Sequence, residues 1–137
     1  MRFLTIGMLV LCLFCARTLA AQVIVHDSVL QFPTPLPELR LIFSKQKTFW
    51  PDGQPIAVFI LAPDSDLHQE FCIKQLDILP YILQRRWDRL VYSGTGERPV
   101  ILDSEEEMRE RVNSTPGAIG YISESIALAG GNYVWEQ

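Results

Sequence analysis

Thr115-Pro116-Gly117-Ala118-Ile119-Gly120-Tyr121-Ile122 is the stretch whose reading decides the fold of this chain. Proline fixes its own φ and glycine accepts positive φ, so Pro116-Gly117 predicts a tight turn. Ala118 to Ile122 then predicts a buried strand, and its two small residues, Ala118 and Gly120, suit close packing under neighbouring elements. The pattern specifies an architecture rather than a reaction.

Working outward from that strand, Ser104-Glu105-Glu106-Glu107 is a capping-box pattern that opens a helix running to about Asn113. Its acids lie in the first turn, Arg109 and Arg111 lie near its end, and Glu105/Arg109 and Glu107/Arg111 have ion-pair spacing. Val100 to Leu102 predicts a short strand before it. Further upstream, Ile78 to Tyr92 predicts a helix with Leu79, Ile82, Leu83, Trp87 and Leu90 on one stripe. Pro80 is tolerable only in the first turn, which places the start close to Asp77, and Gly94 and Gly96 stop it. Ile56 to Leu61 is a nearly continuous apolar run that suits a strand covered on both faces. Asp64, Ser65 and Asp66 follow it at a helix N-terminus, ahead of Leu67, Phe71 and Leu76.

Nearer the start, Gln22 to Val25 predicts the first strand, and the prolines of Phe32-Pro33-Thr34-Pro35-Leu36-Pro37 form a connector. After Glu38, a short helix presents Leu39, Ile42 and Phe43, and Trp50-Pro51-Asp52-Gly53-Gln54-Pro55 is a turn cluster with an aromatic anchor. Downstream of the deciding strand, Ile126-Ala127-Leu128 fits a strand or a helical turn, Gly130-Gly131 is a break, and Tyr133-Val134-Trp135 predicts a docking last strand. The alternation of strands and helices predicts an α/β fold: one three-layer-like domain with a mostly parallel or mixed sheet.

Arg2, the apolar run from Phe3 to Ala16 and the small residues of Thr18-Leu19-Ala20 read as a signal peptide over residues 1–20. The run is shorter than the roughly 18–20 apolar residues that span a bilayer. A soluble domain over 21–137, periplasmic or secreted, with no membrane span after cleavage is therefore expected. Of 137 residues, 12 are Lys or Arg and 16 are Asp or Glu, and two of the basic ones, Arg2 and Arg17, fall in the leader. That acidity excludes a nucleic-acid surface and an anionic membrane as partners. Cys12 and Cys15 also lie in the leader, so Cys72 would be alone in the mature chain, without an intramolecular disulfide. Between Phe71 and Ile73, it reads as a buried, inert thiol.

Chemical motifs are sparse. Ser93-Gly94-Thr95-Gly96 lacks the lysine of a phosphate loop, and His26 and His68 have no metal-ligand spacing. Neither a metal nor another cofactor is expected, and binding is favoured over catalysis. Arg85, Arg86 and Arg89 form a basic cluster on one helix, fitting a solvated face, an anionic ligand or an acidic partner.

Several segments together resemble the phosphate-receptor branch of the type II periplasmic binding proteins, the secreted receptors of ABC importers. Leu41-Ile42-Phe43 with Trp50-Pro51-Asp52-Gly53 resembles the helix and tryptophan turn of that family. Trp87, Tyr92-Ser93-Gly94 and Pro99 resemble its next helix end, and Thr115 to Ile122 resembles its closing Gly-Ala-Ile-Gly-Tyr strand. The resemblance implies one lobe of such a receptor, since a domain over 21–137 is too short for two. Where the family has a Ser-Gly-Thr-Arg type segment, this chain has Asp64-Ser65-Asp66-Leu67-His68, whose carboxylates oppose an oxyanion.

The resemblance therefore implies a solute-binding module for phosphate or another small oxyanion, in transport or sensing, with Ser65 and His68 as candidate contacts and Thr95 as a third. The alternative is a periplasmic interaction or assembly module, holding a protein partner or pairing as a homodimer. Trp50, Arg85 and Arg89 are its candidate contacts, with Phe49 and Trp135 as further aromatic surface.

Overall fold

The computed structural model describes residues 20–29 and 35–130, with side chains described as far as Ala127. The leader up to residue 19, the first half of the proline connector and the Tyr133–Trp135 segment lie outside the described residues. The turn-and-strand stretch becomes β4, Ala118–Ser123, buried along its whole length. Gly117 has φ +74°, and a Cβ there would lie 2.3 Å from the Pro55 carbonyl oxygen. The turn thus needs glycine twice over, for its backbone angle and for its space.

Among the described residues, four strands form one mixed sheet in the order β1-β4-β2-β3. β1 (Ala21–Val25) is antiparallel to β4, pairing Ala21 with Ser123 and Val25 with Ile119. β2 (Ala57–Leu61) runs parallel to β4 on its other side, with Ala57 opposite Ala118. β3 (Val100–Leu102) runs parallel to β2 and forms the edge. The chain moves outward from β2 to β3 and then back past β2 to β4. Right-handed crossovers in opposite directions place the connecting helices on opposite faces.

Alternation along β4 shows both faces. Gly120 lies under α4 (Glu105–Ser114), where an added Cβ would meet Met108 Sδ at 2.5 Å and Val112 Cγ2 at 3.1 Å. Tyr121 points the other way, its ring stacked on Phe71 at 4.0 Å between centroids, with Phe43 at 6.1 Å. The layers are helix, sheet and helix, as the sequence predicts.

Several boundaries differ for local reasons. α1 is Leu36–Phe43, beginning before the expected Glu38 because Pro37 fits the first turn. It buries Leu39, Ile42 and Phe43, as expected. α2 (Asp66–Glu70) continues into a π-helical turn, Phe71–Gln75, which periodicity does not reveal. Asp77 follows with φ +50°, and α3 begins only at Pro80, running to Ser93. That late start leaves Leu79 outside the helix and exposed, and Leu83 and Trp87 are its fully buried positions. The Trp87 indole N–H donates to the Phe43 carbonyl at 2.9 Å, tying α3 to the end of α1. Gly94 caps α3 in the left-handed conformation, and the tail forms α5, Glu124–Gly130, a helix rather than a strand.

Trp50 is a core residue, contrary to its assignment as partner surface. It is 4% exposed, and its indole N–H donates to the Gly117 carbonyl at 2.9 Å. Ser28 Oγ accepts from the Gly117 N–H at 2.9 Å, so the turn before β4 is held from two sides. The aromatic at the surface of this cluster is Phe49. Nor do the α4 spacings close as ion pairs. Among the described residues, the paired cations are Arg40 with Asp77, Lys47 with Glu38 and Arg98 with Asp88. Arg111 instead lies over the Phe59 ring, 5.3 Å from its centroid.

Candidate functional site

In open sheets with parallel strands, ligands collect beyond the carboxyl ends of the strands. Here β2 leads to Asp64 and Ser65, β3 to Asp103 and Ser104, and β4 to Ser123 and Glu124. Ser65 caps α2, its Oγ accepting from the His68 N–H at 3.2 Å. Ser104 caps α4, its Oγ accepting from the Glu107 N–H at 3.1 Å. The Glu107 carboxylate accepts from the Asp103 N–H at 3.1 Å, one residue before the cap where a capping box would close. Glu105 Oε1 accepts from the Ser123 N–H at 2.5 Å, across the layer at the end of β4.

These contacts give the edge its electrostatic character. Four backbone donors at this edge, the N–H groups of His68, Asp103, Glu107 and Ser123, already face hydroxyl or carboxylate oxygens of the chain itself. Asp64, Asp66, Asp103 and Glu124 add exposed carboxylates around them. An oxyanion arriving here approaches several like charges.

Beneath the edge lies a buried polar chain. The Leu61 N–H donates to the Tyr121 hydroxyl at 2.9 Å. That hydroxyl also hydrogen-bonds His68 Nδ1 at 2.5 Å, and with its own proton given to that nitrogen every polar atom of this buried chain is matched. Nδ1 is then the acceptor, so the proton is on Nε2, which faces Cys72 Sγ at 3.5 Å. Burial lowers the His68 pKa from 6.5 to about 4 and pushes the Cys72 thiol up to about 12. Burial likewise raises the Tyr121 phenol above its ordinary value, partly offset by the Leu61 hydrogen bond. At neutral pH all three groups are uncharged, and they knit β2, β4 and α2 together.

The candidate residues therefore occupy separate places. Ser65 is half-buried at the edge, whereas the adjacent His68 turns its ring into the core and is 1% exposed. Thr95 lies in the exposed loop before β3, its hydroxyl 2.6 Å from Ser93 Oγ. Because β2 and β3 are parallel, that loop is at the amino end of the sheet, away from Ser65. Arg85 and Arg89 are exposed on α3, one turn apart, and Trp50 is buried against Gly117. The features that sequence reasoning missed are the long-range ones: Glu105 reaching Ser123, and Tyr121 serving both Leu61 and His68. Only Glu107 had a signal, the Ser-x-x-Glu pattern. Among the described residues, no group of three or more His, Cys, Asp or Glu is placed to hold a metal ion, and no helix is long and apolar enough to cross a membrane.

No known protein family and no curated protein matches the sequence. Solved structures do match. A phosphate ABC transporter substrate-binding protein from Clostridium perfringens, solved with bound phosphate, superposes with a TM-score of 0.59 at 19% identity, over 77% of this chain and 40% of that one. PstS from Borrelia burgdorferi gives 0.58 at 15% identity, over 80% and 42%. An ABC-type phosphate transport receptor from Vibrio cholerae gives 0.51 at 18% identity, over 77% and 41%. This chain thus spans well under half the length of each. Its fold is that of one part of these substrate-binding proteins, consistent with a single lobe.

Proposed function

We propose that this chain is an exported, non-catalytic binding module that uses one receptor lobe to hold a protein partner. The observation that carries this reading is the carboxyl edge of the sheet. Four of its backbone donors, the N–H groups of His68, Asp103, Glu107 and Ser123, are held by Ser65, Ser104, Glu105 and Glu107, and exposed acids surround them. Phosphate would have to compete with carboxylates that are covalently part of the same site and hence at very high effective concentration. Export rests on the leader-like pattern of residues 1–20.

A second reading is supported by the fold itself: a solute-binding module for a small oxyanion, as the matched proteins are named for phosphate. In that reading Ser65 would exchange the His68 N–H for ligand, and a partner copy of the chain would close over it. His68 would contribute its backbone rather than its inward-facing ring, and Thr95 would require the partner copy to bring it near. Thermal unfolding in phosphate and in sulfate separates the two, because a ligand of the folded state raises the transition by mass action. The partner reading predicts no saturable shift with either anion. A saturable rise would assign the oxyanion function instead.

A further inference from the structure

α3 turns one face away from the core, opposite Leu83 and Trp87, and that face has an unusual composition. Tyr81, Arg85, Arg89 and Tyr92 follow one another at steps of four, four and three residues, close to whole helical turns. Tyr81 is 58% and Tyr92 90% exposed, and both arginines are exposed as well. Asp88 lies in the same stretch, but its carboxylate is held by Arg98 from the segment before β3. Among the described residues, neither Arg85 nor Arg89 has a carboxylate within ion-pair distance.

We propose that this face of α3 docks an acidic segment of a protein partner, one that presents carboxylates about a helical turn apart between apolar residues. The proposal rests on the partner-binding reading above and names its surface. Charge sets the chemistry of the occupant. The protein is acidic, with a formal net charge of −4, so a negatively charged partner is repelled by most of its surface and drawn to this stripe. Guanidinium groups grip carboxylates with two parallel hydrogen bonds. Two tyrosines on a rigid helix add contact area with few torsions to immobilise, and tyrosine and arginine are the side chains that dominate binding energy at interfaces. The face is a helix surface without walls, which suits a macromolecular segment better than a free anion.

The test uses the full chain and two synthetic helical peptides: one with glutamates at i and i+4 separated by leucines, the other with glutamines replacing the glutamates. Fluorescence anisotropy at low salt should show the glutamate peptide binding more tightly by about tenfold or more, with the preference fading as salt rises. Arg85→Ala/Arg89→Ala should abolish the preference and Arg85→Lys/Arg89→Lys should restore part of it. Tyr92→Ala should weaken binding of the glutamate peptide. All three variants should keep the wild-type urea midpoint, since the altered side chains are exposed. Equal affinity for the two peptides, or a preference that survives Arg85→Ala/Arg89→Ala, would overturn the proposal. So would arginine-dependent binding to anionic phospholipid vesicles in place of the peptide, or self-association in sedimentation that the double variant removes. A saturable thermal shift with phosphate would refute the partner-binding reading as a whole; peptide failure without such a shift would refute only this surface.

Discussion

His68 is neutral in the fold because burial favours the uncharged ring, and this makes stability depend on pH in a calculable way. Its pKa falls from 6.5 to about 4, so the unfolded chain binds the proton more readily than the folded one. The stabilisation is fully present above pH 6.5 and is lost as pH falls toward 4, because the unfolded state gains a proton that the fold refuses. Between pH 7.5 and 5.0 the linkage relation gives a loss of about 2 kcal/mol from this residue alone. Most of that window lies above the ordinary range of carboxylates, so His68 should dominate it. Urea unfolding of wild type at the two pH values measures the loss as a lower midpoint at unchanged slope. His68→Gln lowers stability at pH 7.5, because it disturbs the contacts to Tyr121 and Cys72, but should remove most of the pH dependence. If His68→Gln and wild type lose the same stability between pH 7.5 and 5.0, the ring does not titrate as its burial requires and the account of the polar chain fails.

The turn before β4 makes a prediction by contrast. Gly117→Ala places a Cβ against the Pro55 carbonyl at positive φ, where backbone on both sides resists, whereas Gly120→Ala meets the movable side chains of Met108 and Val112. Gly117→Ala should cost about 3 kcal/mol and Gly120→Ala about 1–2 kcal/mol in urea midpoints, and the reverse order would contradict the packing described. Trp50→Ala removes a buried indole and its hydrogen bond to Gly117, so it should cost about 3–5 kcal/mol. A near-wild-type midpoint for that variant would show that Trp50 belongs to the surface after all. Tyr121→Phe leaves the Leu61 N–H and His68 Nδ1 without their shared partner, and a loss of about 1–3 kcal/mol should appear with the same assay. An unchanged midpoint would remove the hydroxyl from the account.

What could be read from residues in order is what depends on neighbours in sequence. The turn at Pro116-Gly117, the Ser104 cap, the Gly94 stop and the buried apolar runs each act within a few positions, and each is found in place. The π-helical turn escaped because Leu67 and Phe71 stand at ordinary helical spacing, and the single five-residue step from Phe71 to Leu76 reads as part of the same helix. The destination of Glu105 escaped for a different reason: an acid in a first helical turn is explained by the helix dipole, and nothing local says that it reaches Ser123 on another strand. Trp50 illustrates the same limit. A tryptophan in a Pro-Asp-Gly turn looks exposed until Gly117, far away in sequence, supplies the carbonyl that draws its indole inward. The exposed face of α3 was half legible, since Arg85 and Arg89 stood out as a cluster, while Tyr81 and Tyr92 joined them only when the helix gained defined ends.

The central claim of the proposed function is that, at the carboxyl edge of the sheet, the chain's own oxygens hold the backbone donors of His68, Asp103, Glu107 and Ser123 against an incoming oxyanion. Amide resonances of His68, Asp103, Glu107 and Ser123, followed by two-dimensional NMR during a phosphate titration at pH 7.5, test it at the atoms concerned. The account predicts that these four signals stay where they are up to millimolar phosphate. Saturable shifts of the His68 and Ser123 amides, with release of the Glu105 carboxylate, would contradict it and make this lobe a phosphate receptor.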